Sequence, residues 1–197
     1  MKLGYDFYQQ DAVTTAEKLV GKYVVRKIFE QKIICRIVET EAYVGPEDKG
    51  CHAYQNKKTK RTEVMFKKGG AAYIYLIYGI HNCFNIVVNR KNKPEAVLIR
   101  AVEPIEGLEI IRKNRPIKSN KIEELTNGPG KLCQALVIDR KLNGYDLVDG
   151  DRLYITEQVE GQQFQIASGT RINIDYAEEY KDKLWRFYIK GNSFISE

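Results

Sequence analysis

The sequence predicts an α+β fold in which residues 1–197 form a single mixed domain. Three observations predict it: an amphipathic helical pattern near the N-terminus, four or five β-branched runs meandering through the middle, and no repeat, low-complexity tract or long linker marking a boundary. A chain of 197 residues is long enough for one good core. Its 43% hydrophobic and 29% charged residues are the composition of an ordinary globular protein.

The elements follow in order. Ala12, Val13, Ala16, Leu19 and Val20 recur at helical spacing, with Asp11 as N-cap and Gly21 as stop, so a helix is expected there. Tyr23 to Val25 and Ile33 to Val44 are rich in β-branched residues and separated by Glu30-Gln31-Lys32, which reads as two paired strands. A basic loop follows. Ala71 to Tyr78 and Cys83 to Val88 are two further strands joined through Gly79-Ile80-His81-Asn82, and Ala96 to Val102 is another. A short helix is expected after Pro104, with Ile105, Leu108, Ile110 and Ile111 toward one side. A basic, irregular stretch runs from Arg112 to Lys121. Asn127-Gly128-Pro129-Gly130 then opens a helix through Leu136, whose free N–H groups suit a phosphate. It is not a Walker loop, because the glycine spacing is wrong and Leu132 follows the lysine. Strands are expected at Arg152 to Thr156, Thr170 to Ile174 and Arg186 to Lys190.

Composition excludes several classes. The first apolar stretch, near Ala12 to Val25, is broken by Glu17, Lys18, Gly21 and Lys22, so neither a signal-peptide core nor a membrane span is expected. The expected compartment is the cytoplasm, with nucleoid association if the source is bacterial. Cys35, Cys51, Cys83 and Cys133 are widely spread, and His52 and His81 are the only histidines. Cys51-His52 and His81-Asn82-Cys83 offer four ligand types, but adjacent residues of an extended segment point to opposite faces. No metal and no cofactor are expected, and the thiols should be reduced. The net charge of +6 and pI near 9.0 suit a polyanion without requiring one. More pointed is Lys49 to Lys68, where Lys49, Lys57, Lys58, Lys60, Arg61, Lys67 and Lys68 face only Glu63 in charge: a phosphate-facing surface, or a solvated loop.

Strand alternation puts Glu39, Glu41 and Tyr43 on one face. A solvent-facing strand edge is the commoner origin of such a face. Parity does not say which glutamate matters. In Ala72-Tyr73-Ile74-Tyr75-Leu76-Ile77-Tyr78-Gly79, Tyr73 and Tyr75 share one face and Tyr78 falls on the other, where Gly79 lets the chain turn. An aromatic at a hairpin tip is placed to fill the gap left by a flipped nucleotide, whereas core packing is the commoner use of any single tyrosine.

Several longer segments, in one order, carry a resemblance. They are Ile37-Val38-Glu39-Thr40-Glu41-Ala42-Tyr43-Val44-Gly45-Pro46-Glu47-Asp48, His52, Met65-Phe66, the Tyr73 to Gly79 run, Asn85-Ile86, Leu98-Ile99-Arg100-Ala101 and Gly128 to Leu136. Together they resemble the alkyladenine (3-methyladenine) DNA glycosylase family, from the N-terminal helix to Arg186 to Gly191. The resemblance implies a curved antiparallel β-sheet with flanking helices and a protruding β-hairpin. It implies a monofunctional hydrolase of base excision repair that flips alkylated or deaminated purines out of double-stranded DNA, acting as a monomer. By that resemblance Glu41 is the general base and Arg100 orients the water with it, with help from the backbone near Ile172. Tyr43, His52 and Tyr75 look like pocket walls, with Leu98 also contacting substrate, and Asn85 looks like the residue that disfavours guanine. Tyr78 looks like the wedge, with Ile80, Thr59, Arg61 and Lys131 as further DNA contacts.

The chemistry accounts for these residue types. A purine alkylated at N3 or N7 is cationic and already a good leaving group, so a carboxylate that activates water and favours an oxocarbenium-like sugar is the main requirement. Aromatic rings around an electron-poor base add about 1–2 kcal/mol per good contact. A neutral lesion such as hypoxanthine needs a proton on the leaving group, and the sequence offers no clear acid for it. The loop from Ala53 to Thr62 departs from the family, which often has a proline before the arginine and an asparagine after it. Ile80-His81-Asn82 is also more polar than usual. A non-catalytic nucleic-acid binder, and a small-molecule enzyme on a similar sheet, are the rival readings.

Overall fold

A computed structural model of the chain describes residues 1–157 and 163–196. Two helices open it, the single turn α1 (Tyr5–Tyr8) and α2 (Ala12–Leu19). Asp11 caps α2 by accepting from the Thr14 backbone N–H at 2.9 Å. Then come β1 (Tyr23–Ile28), β2 (Gln31–Tyr43), β3 (Ala72–Ile77), β4 (His81–Val88), β5 (Glu95–Glu106), α3 (Leu108–Asn114), α4 (Pro129–Ala135), β6 (Leu153–Thr156), β7 (Ile166–Gly169) and β8 (Arg186–Ile189). The architecture is α+β: one open antiparallel eight-stranded sheet, ordered β3-β4-β5-β2-β1-β6, with β8 on β2 and β7 on β8. No described helix is long and apolar enough to cross a membrane.

The 13-residue strand β2 is the spine. One edge pairs with β5 from Ile34 to Tyr43, and the other with β1 from Gln31 to Arg36 and with β8 from Glu39 to Glu41. From Ile37 to Ala42 every residue is buried, so the glutamates do not face solvent from an edge. This corrects the commoner reading of the Glu39, Glu41, Tyr43 alternation: their face is shared, but it is covered. The helix α2 closes the opposite side, where Thr40 Oγ1 donates to the Ala16 carbonyl at 2.9 Å.

Register breaks in β2–β5 locate two side chains. Ile37 pairs with Val102, Glu39 with Ala101 and Thr40 with Ile99, so Val38 is an extra residue on β2 and Arg100 on β5. Such paired bulges re-aim side chains, here swinging Arg100 beside Glu39 and Glu41. A third bulge at Ile105, between the pairs Ile34–Glu106 and Cys35–Pro104, extends β5 through Pro104. The helix expected after Pro104 therefore starts at Leu108, and Ile105 is exposed on the strand rather than on the helix.

The other predicted strands differ at one place. Thr170 to Ile174 is irregular, and the strand precedes it as β7. Arg171, the second residue of that stretch, has its side chain fully buried against Asp48. A large core lies between the sheet and α2, α3 and α4, while a smaller apolar cluster of Cys51, Val64, Met65, Phe66, Ala71 and Tyr73 seats the long β2–β3 connection on the sheet.

Candidate active site

Antiparallel pairing aligns one row of residues across five strands. Tyr73 on β3 pairs with Asn85 on β4, Asn85 with Leu98 on β5, Leu98 with Glu41 on β2, and Glu41 with Arg186 on β8. Directly opposed residues share a face. Above this row lies a cavity of about 440 Å³, walled by Tyr43, His52, Tyr75, Arg100 and Ile172 among others, with Tyr78 and Lys131 also on its lining. This is the size and the aromatic character of a small-molecule or nucleobase pocket.

Glu41 is buried directly behind that wall, at 0% exposure. One carboxylate oxygen accepts from the Ile172 backbone N–H at 2.7 Å and from Arg100 Nη1 at 3.3 Å. The other accepts from the Tyr43 hydroxyl at 2.9 Å. Burial, then Glu41, push the Tyr43 phenol well above its ordinary range, so the hydroxyl keeps its proton and remains a donor. Burial works to lower the Arg100 guanidinium, but Glu41 and Glu39 outweigh it and hold it above its ordinary value.

Glu39 shares the face but not the setting. Its oxygens accept from Arg186 Nη1 at 3.0 Å and from the Ser196 backbone N–H at 2.7 Å, tying β2 to β8 and the C-terminal segment. Arg100 bridges both carboxylates and donates from Nε to Ser196 Oγ at 3.1 Å. Geometry thus separates two glutamates that alternation leaves equivalent.

The aromatic wall is built by edge contacts. His52 and Tyr75 rings meet edge to face with centroids 4.6 Å apart, and Tyr73 tilts against Tyr75 at 5.3 Å. His52 Nδ1 lies 3.0 Å from the Tyr73 hydroxyl, and Arg61 Nη2 lies 3.2 Å from His52 Nε2. Because a guanidinium only donates, Nε2 accepts and the proton belongs on Nδ1. Burial, then Arg61, push His52 down to about 4 from an ordinary value of 6.5. The unfolded chain therefore binds more protons than the folded one between those two values. His52 burial is harmless above about pH 6.5 and increasingly destabilising as pH falls toward 4. Thermal unfolding at pH 7.5 and pH 5 tests this: His52→Gln should lose less stability on acidification than the unaltered protein, and an equal loss refutes it.

The remaining predicted residues scatter more. Asn85 donates from its amide to the Tyr73 carbonyl at 3.1 Å, and Leu98 lines the cavity beside it. Tyr78 stands at the β3–β4 tip, 81% exposed, with Ile80 also exposed. A positive φ at both Tyr78 and Gly79 makes that turn. The hairpin lies against α4, where Gly130 has only 3.1 Å between a notional Cβ and the His81 ring. Lys131 Nζ bonds Asn127 Oδ1 at 2.7 Å. Thr59 is occupied in a local turn with Thr62. Arg61 lies 4.7 Å from the Tyr75 centroid and remains exposed beside the pocket. Lys49, counted among the basic loop's charges, is paired with Glu178 and Glu179 at 2.6 and 3.0 Å.

Two residues of the site were given no role by the sequence, although Asp48 ends the Ile37 to Asp48 segment. Asp48 and Arg171, 123 positions apart, form a fully buried two-pronged ion pair at 2.6 and 2.8 Å. Arg171 also donates to the Ala42 carbonyl at 3.0 Å and stacks 4.8 Å from the Tyr43 centroid. The pair holds the segment that presents the Ile172 N–H to Glu41. Among the described residues no cluster of three or more metal-ligand types occurs.

Comparison with known proteins agrees in one direction. The family described as methylpurine-DNA glycosylase matches residues 6–193. A protein of Natranaerobius thermophilus, provisionally named a 3-methyladenine DNA glycosylase, is 62% identical over 196 residues, covering 100% of this chain and 99% of its own. Relatives with the same provisional name from Desulfitobacterium hafniense and Clostridium novyi are each 48% identical, covering 99% and 100% of this chain and 98% of their own lengths.

Proposed function

Because this chain belongs to the methylpurine-DNA glycosylase family, we propose that it releases alkylated and deaminated purines from double-stranded DNA by hydrolysis at Glu41. Its activity is that of a 3-methyladenine DNA glycosylase acting in base excision repair. The observation that carries the finer reading is a buried carboxylate, held by Ile172 N–H and Arg100, immediately behind an aromatic cavity.

A damaged purine flips into the cavity between Tyr43, His52 and Tyr75. The C1′–N bond breaks with its electron pair going to the base, which neutralises a cationic alkylated purine, whereas a neutral purine such as hypoxanthine takes a proton from solvent water as it leaves. Water adds through oxygen to C1′ and gives its proton to Glu41, whose charge also favours the electron-poor sugar. Arg100 and the Ile172 backbone hold the carboxylate in place. The raised Tyr43 and Tyr75 phenols stay protonated, so each presents a neutral aromatic face, whose quadrupole attracts a cationic base. Asn85 crowds the exocyclic amine of guanine, and Lys131 contacts a phosphate. Lys131, the one lysine on the cavity lining among the described residues, is engaged by Asn127 Oδ1 at 2.7 Å and makes no ion pair with Glu41, which supports water rather than an amine as nucleophile. Duplexes containing 3-methyladenine, 7-methylguanine, hypoxanthine or ethenoadenine test the reading by analysis of released bases. Release from none of them refutes it, and strand nicking at an abasic site, or borohydride trapping, refutes the water mechanism.

Tyr78 fills the gap left by the flipped nucleotide. Its exposure means that Tyr78→Ala should leave stability within about 0.5 kcal/mol. Lost stacking of about 1–3 kcal/mol should reduce excision from paired duplex roughly 5- to 150-fold, and much less where the lesion is already unpaired. Equal losses on both substrates, measured by single-turnover base release, overturn the wedge role.

A further inference from the structure

We propose that the cavity walled by Arg112, Arg115 and Lys121 binds a backbone phosphate of the DNA strand beside the flipped nucleotide. The proposal rests on the glycosylase reading for its ligand. The cavity encloses about 320 Å³ between the end of α3 and the turn Ile122–Leu125, and Ser119 and Asn120 add neutral polar groups to its lining. No acidic residue lines it, although Glu123 and Glu124 lie on the adjoining turn. None of its three cations forms an ion pair among the described residues.

Two further observations point to an anion. Arg115 Nε is buried without a hydrogen-bond partner, as are those of Arg171 and Arg186, but unlike those two guanidinia Arg115 has no carboxylate partner among the described residues, a state that a bound phosphate oxygen relieves. Arg115 also lines the large cavity, together with Gly128 and Lys131. The two cavities therefore share one side chain, and a strand whose nucleotide enters the first runs its neighbouring phosphate past the second. A solvated helix end explains Arg112 and Lys113 alike, since cations favour a helix C-terminus. It does not explain why Arg112, Arg115 and Lys121 converge on one cavity with no acid in its wall.

Binding to an ethenoadenine duplex across a salt series tests the site. The proteins compared are the unaltered chain, Arg115→Gln, the double variant Arg112→Gln/Lys121→Gln, and the control Lys113→Gln/Lys118→Gln. The control removes the same two charges from exposed residues outside the cavity. Each lost phosphate contact should lower the salt slope by about one. The cavity variants should bind roughly five- to tenfold more weakly at about 0.15 M salt while the control stays near the unaltered protein. Neutral methylphosphonate linkages placed singly around the lesion should identify one whose substitution weakens the unaltered protein and the control but not the cavity double variant. Equal weakening by the control, or no such linkage, overturns the proposal. If the unaltered protein releases no damaged base yet the linkage effect persists, the glycosylase reading fails and the phosphate site stands.

Discussion

Glu41→Gln is expected to reduce base release by about 10²- to 10⁴-fold while leaving binding to a lesion duplex nearly unchanged, because a positioned general base supplies that much rate. Gln keeps the shape and one carbonyl acceptor for the Ile172 N–H, so the loss isolates charge and basicity. Arg100 is not orphaned, since Glu39 and Ser196 still engage it. The comparison with Glu39→Gln is decisive. Glu39 is bonded to Arg186 and the Ser196 backbone, so that change should appear mainly as lower thermal stability, with a smaller loss of rate among the molecules that remain folded. Single-turnover base release and thermal unfolding on both variants check the assignment. Retention of full excision by Glu41→Gln, or a rate loss confined to Glu39→Gln, refutes it. A non-catalytic binder would show no release to lose in any form of the protein.

Legibility in the sequence followed the range of the interactions. The α2 helix announces itself through a cap three residues from its partner and an apolar stripe, and β3 and β4 through β-branched runs around a Gly turn. These are local signals. The helix placed at Pro104 moved to Leu108 because the Ile105 bulge lets β5 continue through a proline, which only the partner strand reveals. Thr170 to Ile174 reads as a strand by composition, but it is irregular chain that carries Arg171 into a buried pair with Asp48, a partner 123 positions away. Alternation grouped Glu39, Glu41 and Tyr43 correctly on one face, yet favoured solvent, because burial of β2 depends on β5, β1 and β8 arriving from elsewhere. The resemblance singled out Glu41, and the distinct partners of the two glutamates supply a physical counterpart. Arg61, read with the loop's charges, is exposed and also meets His52 and the Tyr75 ring, contacts that only the folded β3 brings to it.

The Asp48–Arg171 pair leads to the second large effect. Asp48→Ala should destabilise the protein by about 3–5 kcal/mol, the usual result of leaving one member of a buried ion pair without its partner. Asp48 also accepts from the Val44 and Gly50 backbone N–H groups at 3.1 and 2.9 Å, so its removal frees the turn after β2 as well as Arg171. The effect on chemistry is separable from the effect on folding. Replacing both members by apolar residues, as Asp48→Leu/Arg171→Met, removes the uncompensated charge and should recover much of the stability. It does not restore the guanidinium that bonds the Ala42 carbonyl and stacks on Tyr43, and so does not fix where the Ile172 N–H points. Base release by the double variant should remain well below that of the unaltered protein at temperatures where both are folded. Denaturant unfolding and single-turnover excision together decide it. Full excision in a stable double variant means that Ile172 is placed by the rest of the loop, and an unchanged unfolding midpoint in Asp48→Ala means that the pair does not hold this segment at all.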